Sequence, residues 1–131
     1  MSTQANESNE PHAIERSPEE RATHVERLLE LTRLPTAAGR EGRVERYVRA
    51  WCDDRPALEL SVDGSGNMHI APQGGVAGSP LVIEAHMDHP AFVVERELGP
   101  ATLQVAFRGG VMDDYFPDER VEFYAAGDET G

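Results

Sequence analysis

Cysteine is all but missing from this sequence, aromatic residues are sparse, and no apolar run comes near the length of a membrane span. Each shortage excludes something. Cys52 stands alone, so no disulfide can form within the chain and no thiolate cluster can hold zinc. A spanning helix needs about 20 consecutive apolar residues, far more than any stretch here provides. Basic residues are scarce as well: 12 Lys and Arg stand against 24 Asp and Glu, for a formal net charge of −12. A nucleic acid or an anionic membrane surface demands a basic face, so neither is expected as a partner. The opening MSTQANESNE lacks the basic and apolar blocks of a secretory signal. The expectation is a soluble, cytoplasmic protein.

A chain of 131 residues suits one modest domain, or one domain plus a flexible arm. Residues 1–16 are polar and nearly free of large apolar groups, too little to offset their ordering entropy, and read as such an arm. Order is expected from Ser17-Pro18-Glu19-Glu20, where Ser17 can cap a helix, Pro18 suits its first position and Glu20 completes a capping box. Ala22, Val25, Leu28 and Leu29 then recur at helical spacing until Pro35. The small residues and glycines of Thr36 to Gly42 predict a loop. A second helix should follow, with Val44, Tyr47, Val48 and Trp51 on its core stripe and Cys52 as a small packing residue.

From Leu58 the period becomes strand-like. Leu58, Leu60 and Val62 alternate with polar residues, and Asp63-Gly64-Ser65-Gly66-Asn67 supplies a turn into Met68–Ala71, which predicts a hairpin. Leu81-Val82-Ile83-Glu84-Ala85 reads as a short strand buried on both faces. Ala91–Glu95 and Thr102–Phe107 read as two more strands, and Val121–Tyr124 as a last one. Asp113 and Asp114 suit a turn, His69 an exposed or paired position, and Asp128-Glu129 a solvated surface. Helices feeding a sheet predict an α/β fold, with a β subdomain opening near Pro90.

Chemistry concentrates in Glu84-Ala85-His86-Met87-Asp88-His89-Pro90. A histidine at the C-terminal end of a buried strand lies where open α/β sheets place their ligands, and imidazole suits Zn²⁺ as a neutral nitrogen donor. In an extended chain Asp88 shares a side with His86, close enough to orient the imidazole or to approach a second metal. On these residues alone a hydrogen-bonded His–Asp pair at a strand end is the favoured reading of the triplet. His89 reads either as a solvent-facing imidazole or as an extra ligand.

Several ordered pieces carry a resemblance. They are Leu28-Leu29-Glu30-Leu31 with Leu34-Pro35 and Gly39-x-Glu41; Val62-Asp63-x-x-Gly66-Asn67; Ala85-His86-Met87-Asp88; Phe92-Val93-Val94; and Gly109-Gly110-Val111 with Val121 about ten residues on. In order and spacing, Leu28 to Tyr124 resembles the glutamyl aminopeptidase and tetrahedral aminopeptidase family of co-catalytic zinc peptidases. The resemblance implies the front of a zinc-peptidase α/β catalytic domain over residues 17–90, then the first strands of an inserted β-barrel over 91–131. It implies a metal-dependent hydrolase that removes N-terminal residues from peptides by metal-activated water, using two zinc ions with Co²⁺ as a substitute.

Residue by residue, the resemblance makes His86 a metal ligand and Asp88 the catalytic carboxylate beside it, orienting the site. The family's general-base glutamate, bridging carboxylate and second histidine have no counterpart here, so the chain reads as an N-terminal portion with an incomplete site. The family forms homo-oligomers through its inserted β domain, which extends that expectation to this chain. A departure at His89-Pro90-Ala91-Phe92 touches the strand exit and leaves the ligand in place. Two other functions fit: a metal-dependent deacylase or amidohydrolase of the same clan, and a non-catalytic module that associates through its β strands.

Overall fold

In the computed structural model, residues 16–125 are described; the arm expected over 1–16, apart from Arg16, and Asp128-Glu129 lie outside them. The described residues form a mixed α/β protein with two α-helices and two small antiparallel sheets. It falls into two units, one ending at Thr32 and one beginning at Arg33.

The first unit contains α1 (Pro18–Thr32). Its start is the reciprocal cap that the sequence predicts: the Glu20 amide donates to Ser17 Oγ at 3.2 Å, and the Ser17 amide donates to Glu20 Oε2 at 2.8 Å. Near the other end the Thr32 hydroxyl donates back to the Leu28 carbonyl at 2.9 Å. No residue of α1 is buried, so Val25, Leu28 and Leu29 form an uncovered apolar stripe.

The second unit opens with the Thr36–Glu41 loop and α2 (Gly42–Asp53). Thr36 and Ala37 are buried, as are Val44 and Cys52 on α2, and these four make up the buried set among the described residues. Tyr47, Val48 and Trp51 are half-buried at its margin. Burial pushes the Cys52 thiol pKa up, with Asp53 adding to the shift, as befits a packing residue rather than a nucleophile. Glu41 offers α2 no side-chain cap; its carboxylate instead accepts from the Gly39 amide at 2.7 Å and tightens the loop. Gly39 there has φ +76°, a conformation costly for any residue with a Cβ.

β1 (Leu58–Val62) pairs antiparallel with β2 (Met68–Pro72), Leu60 opposite Ile70, and α2 packs on β1. The half-buried Leu58 and Leu60 alternate with exposed Glu59 and Ser61, the pleat's period of two. Asp63 ties the turn. Its Oδ1 accepts from the Ser65 and Asn67 amides at 2.8 and 2.9 Å, and its Oδ2 accepts from Asn67 Nδ2 at 2.8 Å.

β3 (Ala91–Gly99) and β4 (Thr102–Arg108) form the second antiparallel pair, each starting where the sequence predicts and continuing further, past Glu95 and past Phe107. Irregular register between Val94 and Arg96 and between Glu97 and Gly99 adds residues to β3. Phe92, Phe107 and Phe116 cluster at centroid separations of 4.7–5.1 Å, Phe92 and Phe116 edge-to-face and the other two pairs tilted, which draws the segment after β4 back onto the hairpin. Asp113 and Asp114 lie in a short 3₁₀ turn, as expected of turn residues.

Two expected strands do not form. Leu81–Ala85 is neither a strand nor buried: Leu81, Val82 and Ile83 are 88, 70 and 87% exposed. A parallel strand exists only between neighbours, and among the described residues β1–β2 and β3–β4 pair only with each other. Val121–Tyr124 likewise lacks a ladder, and its chain is held through Arg43, whose Nη2 donates to the Ala125 carbonyl at 2.8 Å.

Two outcomes follow. The Asn67 and Ser65 bonds hold the Asp63 carboxyl down to about 2, below its unfolded value. Its support for the hairpin is therefore complete above about pH 4 and is lost as pH falls through about 2. Amide exchange at Ser65 and Asn67 should rise across that window, while in Asp63→Ala it should be fast at every pH. Separately, a Cβ on Gly109 would stand 2.7 Å from Pro90 Cβ at φ +151°. Gly109→Ala should cost about 1–3 kcal/mol in urea denaturation; an unchanged midpoint would mean that this contact does not constrain the chain.

Candidate functional site

The segment that carries the predicted ligand enters β3 directly. Residues 76–90 take part in no main-chain to main-chain hydrogen bond among the described residues, so the path up to Pro90 is an unpaired run. At its end Pro90 meets Gly109, which follows the last residue of β4, and Ala91 pairs with Arg108. The open end of the β3–β4 hairpin thus fixes where Asp88 and His86 emerge.

Within this segment the side chains find each other locally. His86 Nδ1 lies 2.9 Å from the Asp88 main-chain oxygen and 3.1 Å from Asp88 Oδ1. Both neighbours are acceptors, which assigns the proton of the neutral ring to Nδ1 and leaves the lone pair on Nε2. The imidazole is 81% exposed and the Asp88 side chain 34%. Nε2 has no hydrogen-bond partner among the described residues. A carboxylate on one ring nitrogen and a free lone pair on the other is the arrangement in which histidine coordinates a metal, the carboxylate fixing tautomer and ring orientation.

The structure therefore brings together His86 and Asp88, the two residues that the sequence singles out. His89, the next candidate, is exposed, and Glu84 is exposed rather than lining a cleft. His69 belongs elsewhere: its Nε2 is 3.5 Å from Asp63 Oδ2 at the β1–β2 turn. Among the described residues no group of three or more His, Cys, Asp or Glu side chains converges as a metal site would require. A groove between α2 and β1, lined by Arg49, Cys52, Asp53, Arg55 and Leu58, does not include His86.

Sequence reasoning passed over two residues that the geometry makes important to the site's placement. Arg108 Nη1 donates to the Ala38 carbonyl, tying the end of β4 to the loop ahead of α2. Gly109 has no Cβ where one would strike Pro90. The pairing of Gly109 with Gly110 marks a break in the strand, but nothing in the local sequence names its neighbour. Among the described residues no helix is long and apolar enough to cross a membrane. No family model, no curated protein and no solved structure matches this chain.

The Asp88 contact can be tested directly. Long-range ¹H–¹⁵N spectra of the histidines should show His86 chiefly as the Nδ1–H tautomer. Asp88→Ala should move the population toward Nε2–H, and an identical tautomer ratio in the two proteins would remove Asp88 as the orienting group.

Proposed function

We propose that this chain belongs to a metal-dependent hydrolase of the aminopeptidase type, in which His86 supplies one zinc ligand through Nε2 and Asp88 orients it. The observation that carries this reading is the solvent-open Nε2 of an imidazole whose other nitrogen, Nδ1, is oriented by Asp88. The motif resemblance around Ala85-His86-Met87-Asp88 supports it. In this reading residues 17–90 are the front of an α/β catalytic domain and 91–131 the first strands of an inserted β subdomain. The uncovered Leu81-Val82-Ile83 run then awaits neighbouring strands.

The donors present fit one corner of a zinc site. One histidine is available with its orienting carboxylate, whereas zinc takes three or four protein donors. When bound in a complete site, zinc supplies the activation of water toward a peptide carbonyl. This chain's own part is to orient the ring through Nδ1 and present Nε2 to solvent. Asp88 acts through the imidazole, as a positioning carboxylate. Peptides are the proposed substrate class, zinc or cobalt the metal, and the cytoplasm the compartment; a deacylase of the same clan would use His86 in the same way.

A second reading has its own observation. Three adjacent large aliphatic residues exposed along an unpaired chain favour a β-mediated association module, homo-oligomeric or with another partner. Zinc separates the two. Titrated with Zn²⁺, the chain should show the His86 Nε2 resonance moving before those of the other four histidines, and His86→Ala should abolish the first binding step. Turnover of aminoacyl substrates by this chain should be negligible. Equal perturbation of all five histidines would sink the metallohydrolase reading and leave the association module.

A further inference from the structure

The β3–β4 hairpin and the α2 half of the second unit meet through few elements. The helix packs on β1, β1 on β2 and β3 on β4. Across the division reaches Arg108, the last residue of β4, whose guanidinium donates to the Ala38 carbonyl. The acceptor loop is itself well knit. The Arg40 amide donates to Ala37 O at 2.8 Å, the Thr36 hydroxyl donates to Arg40 O at 3.3 Å, and Arg43 Nη1 donates to Pro35 O at 3.2 Å. Thr36 and Ala37 are buried, so the carbonyl offered by Ala38 stands on a fixed base.

The contact also has room because of the glycine beside it. A Cβ on Gly39 would lie 3.1 Å from Arg108 Nη1, and the φ of +76° there is one that residues with a Cβ rarely adopt. On its other side Arg108 pairs with Ala91, the residue after Pro90, and Gly109 lies against Pro90 itself. From Ala38 to Asp88 there is thus a short series of contacts through Arg108, Ala91 and Pro90.

We infer that Arg108 is a positioning residue, a strut that sets the hairpin against the Thr36–Glu41 loop and thereby fixes where the His86–Asp88 pair leaves β3. The strut rests on its own geometry. Its consequence for metal binding rests on the function proposed above.

Distances test the strut, and zinc tests its consequence. Spin labels at Arg46→Cys on α2 and Glu97→Cys on β3, both exposed positions, would be placed in the full chain carrying Cys52→Ala. Pulsed dipolar spectroscopy should give one narrow distance in the parent and a broad distribution in Arg108→Met, which keeps the stem and loses the donors. Arg108→Lys, which restores one donor, should narrow it again. Circular dichroism must show the helices intact in all three. A narrow, unmoved distance in Arg108→Met overturns the strut.

The zinc affinity read at His86 should fall on the order of two- to thirtyfold in Arg108→Met and recover in Arg108→Lys. A broadened distance with unchanged affinity overturns the positioning role toward His86 while leaving the strut. A parent that binds no zinc at His86 counts against the proposed metal site alone, since the distance measurement still decides the strut.

Discussion

A guanidinium that leaves its own turn to meet a main-chain carbonyl recurs through the second unit. Arg43 donates to Pro35 O and Ala125 O, Arg55 to Trp51 O, and Arg108 to Ala38 O. All 12 basic residues are arginine, and the chain uses the planar fork where other small domains use core volume. The buried set explains why. Ala37, Val44, Cys52 and Thr36 are small or medium residues, and among the described residues no large side chain is fully buried. Apolar burial scales with area, so such a core leaves the relative placement of loops undecided. A charged donor on a carbonyl is directional and can reach several residues away, so it decides placement where packing does not. Arg55 adds its stem and face to Trp51, 4.1 Å from the ring centroid, which covers the half-buried edge of α2.

That division between local and distant forces also sorts the elements by how legible they are in the sequence. The Ser17–Glu20 cap, the Asp63–Asn67 turn and the β1–β2 hairpin rest on residues close to one another and form as the sequence predicts, while β3 and β4 form where strands are expected and run further. Turn chemistry fixes a hairpin's register without reference to the rest of the chain. Leu81–Ala85 and Val121–Tyr124 have the composition of strands but form none. Composition records that a segment suits a pleated, covered surface; it does not supply the cover. The partners of Arg108 and Gly109 carried no local signal, because Ala38 and Pro90 are 70 and 19 positions away.

The candidate site divides the same way. The His86–Asp88 contact spans two residues and forms on an unpaired chain without any sheet around it. Its tautomer is therefore a property of the local sequence and was readable from the triplet. Where the pair stands relative to other groups is not local, since it depends on Pro90, the hairpin and the Arg108 contact. A second and third donor would have to be brought within about 2 Å of one point, which only long-range packing can do.

The hydrogen-bonded pair and the metal ligand are thus one geometry seen from the two sides of the ring. A carboxylate on Nδ1 costs nothing extra in either case, and its presence cannot favour one over the other by itself. Nε2 breaks the tie. A structural pair has reason to bury the ring or give Nε2 a partner, because an imidazole held for packing gains by covering its apolar edge. Here the ring is 81% exposed, held from one side only, at the point where the chain enters a strand pair tied by Arg108 to the loop ahead of α2. An imidazole oriented through Nδ1 and left open to solvent on the Nε2 side gains little from packing and keeps that nitrogen accessible.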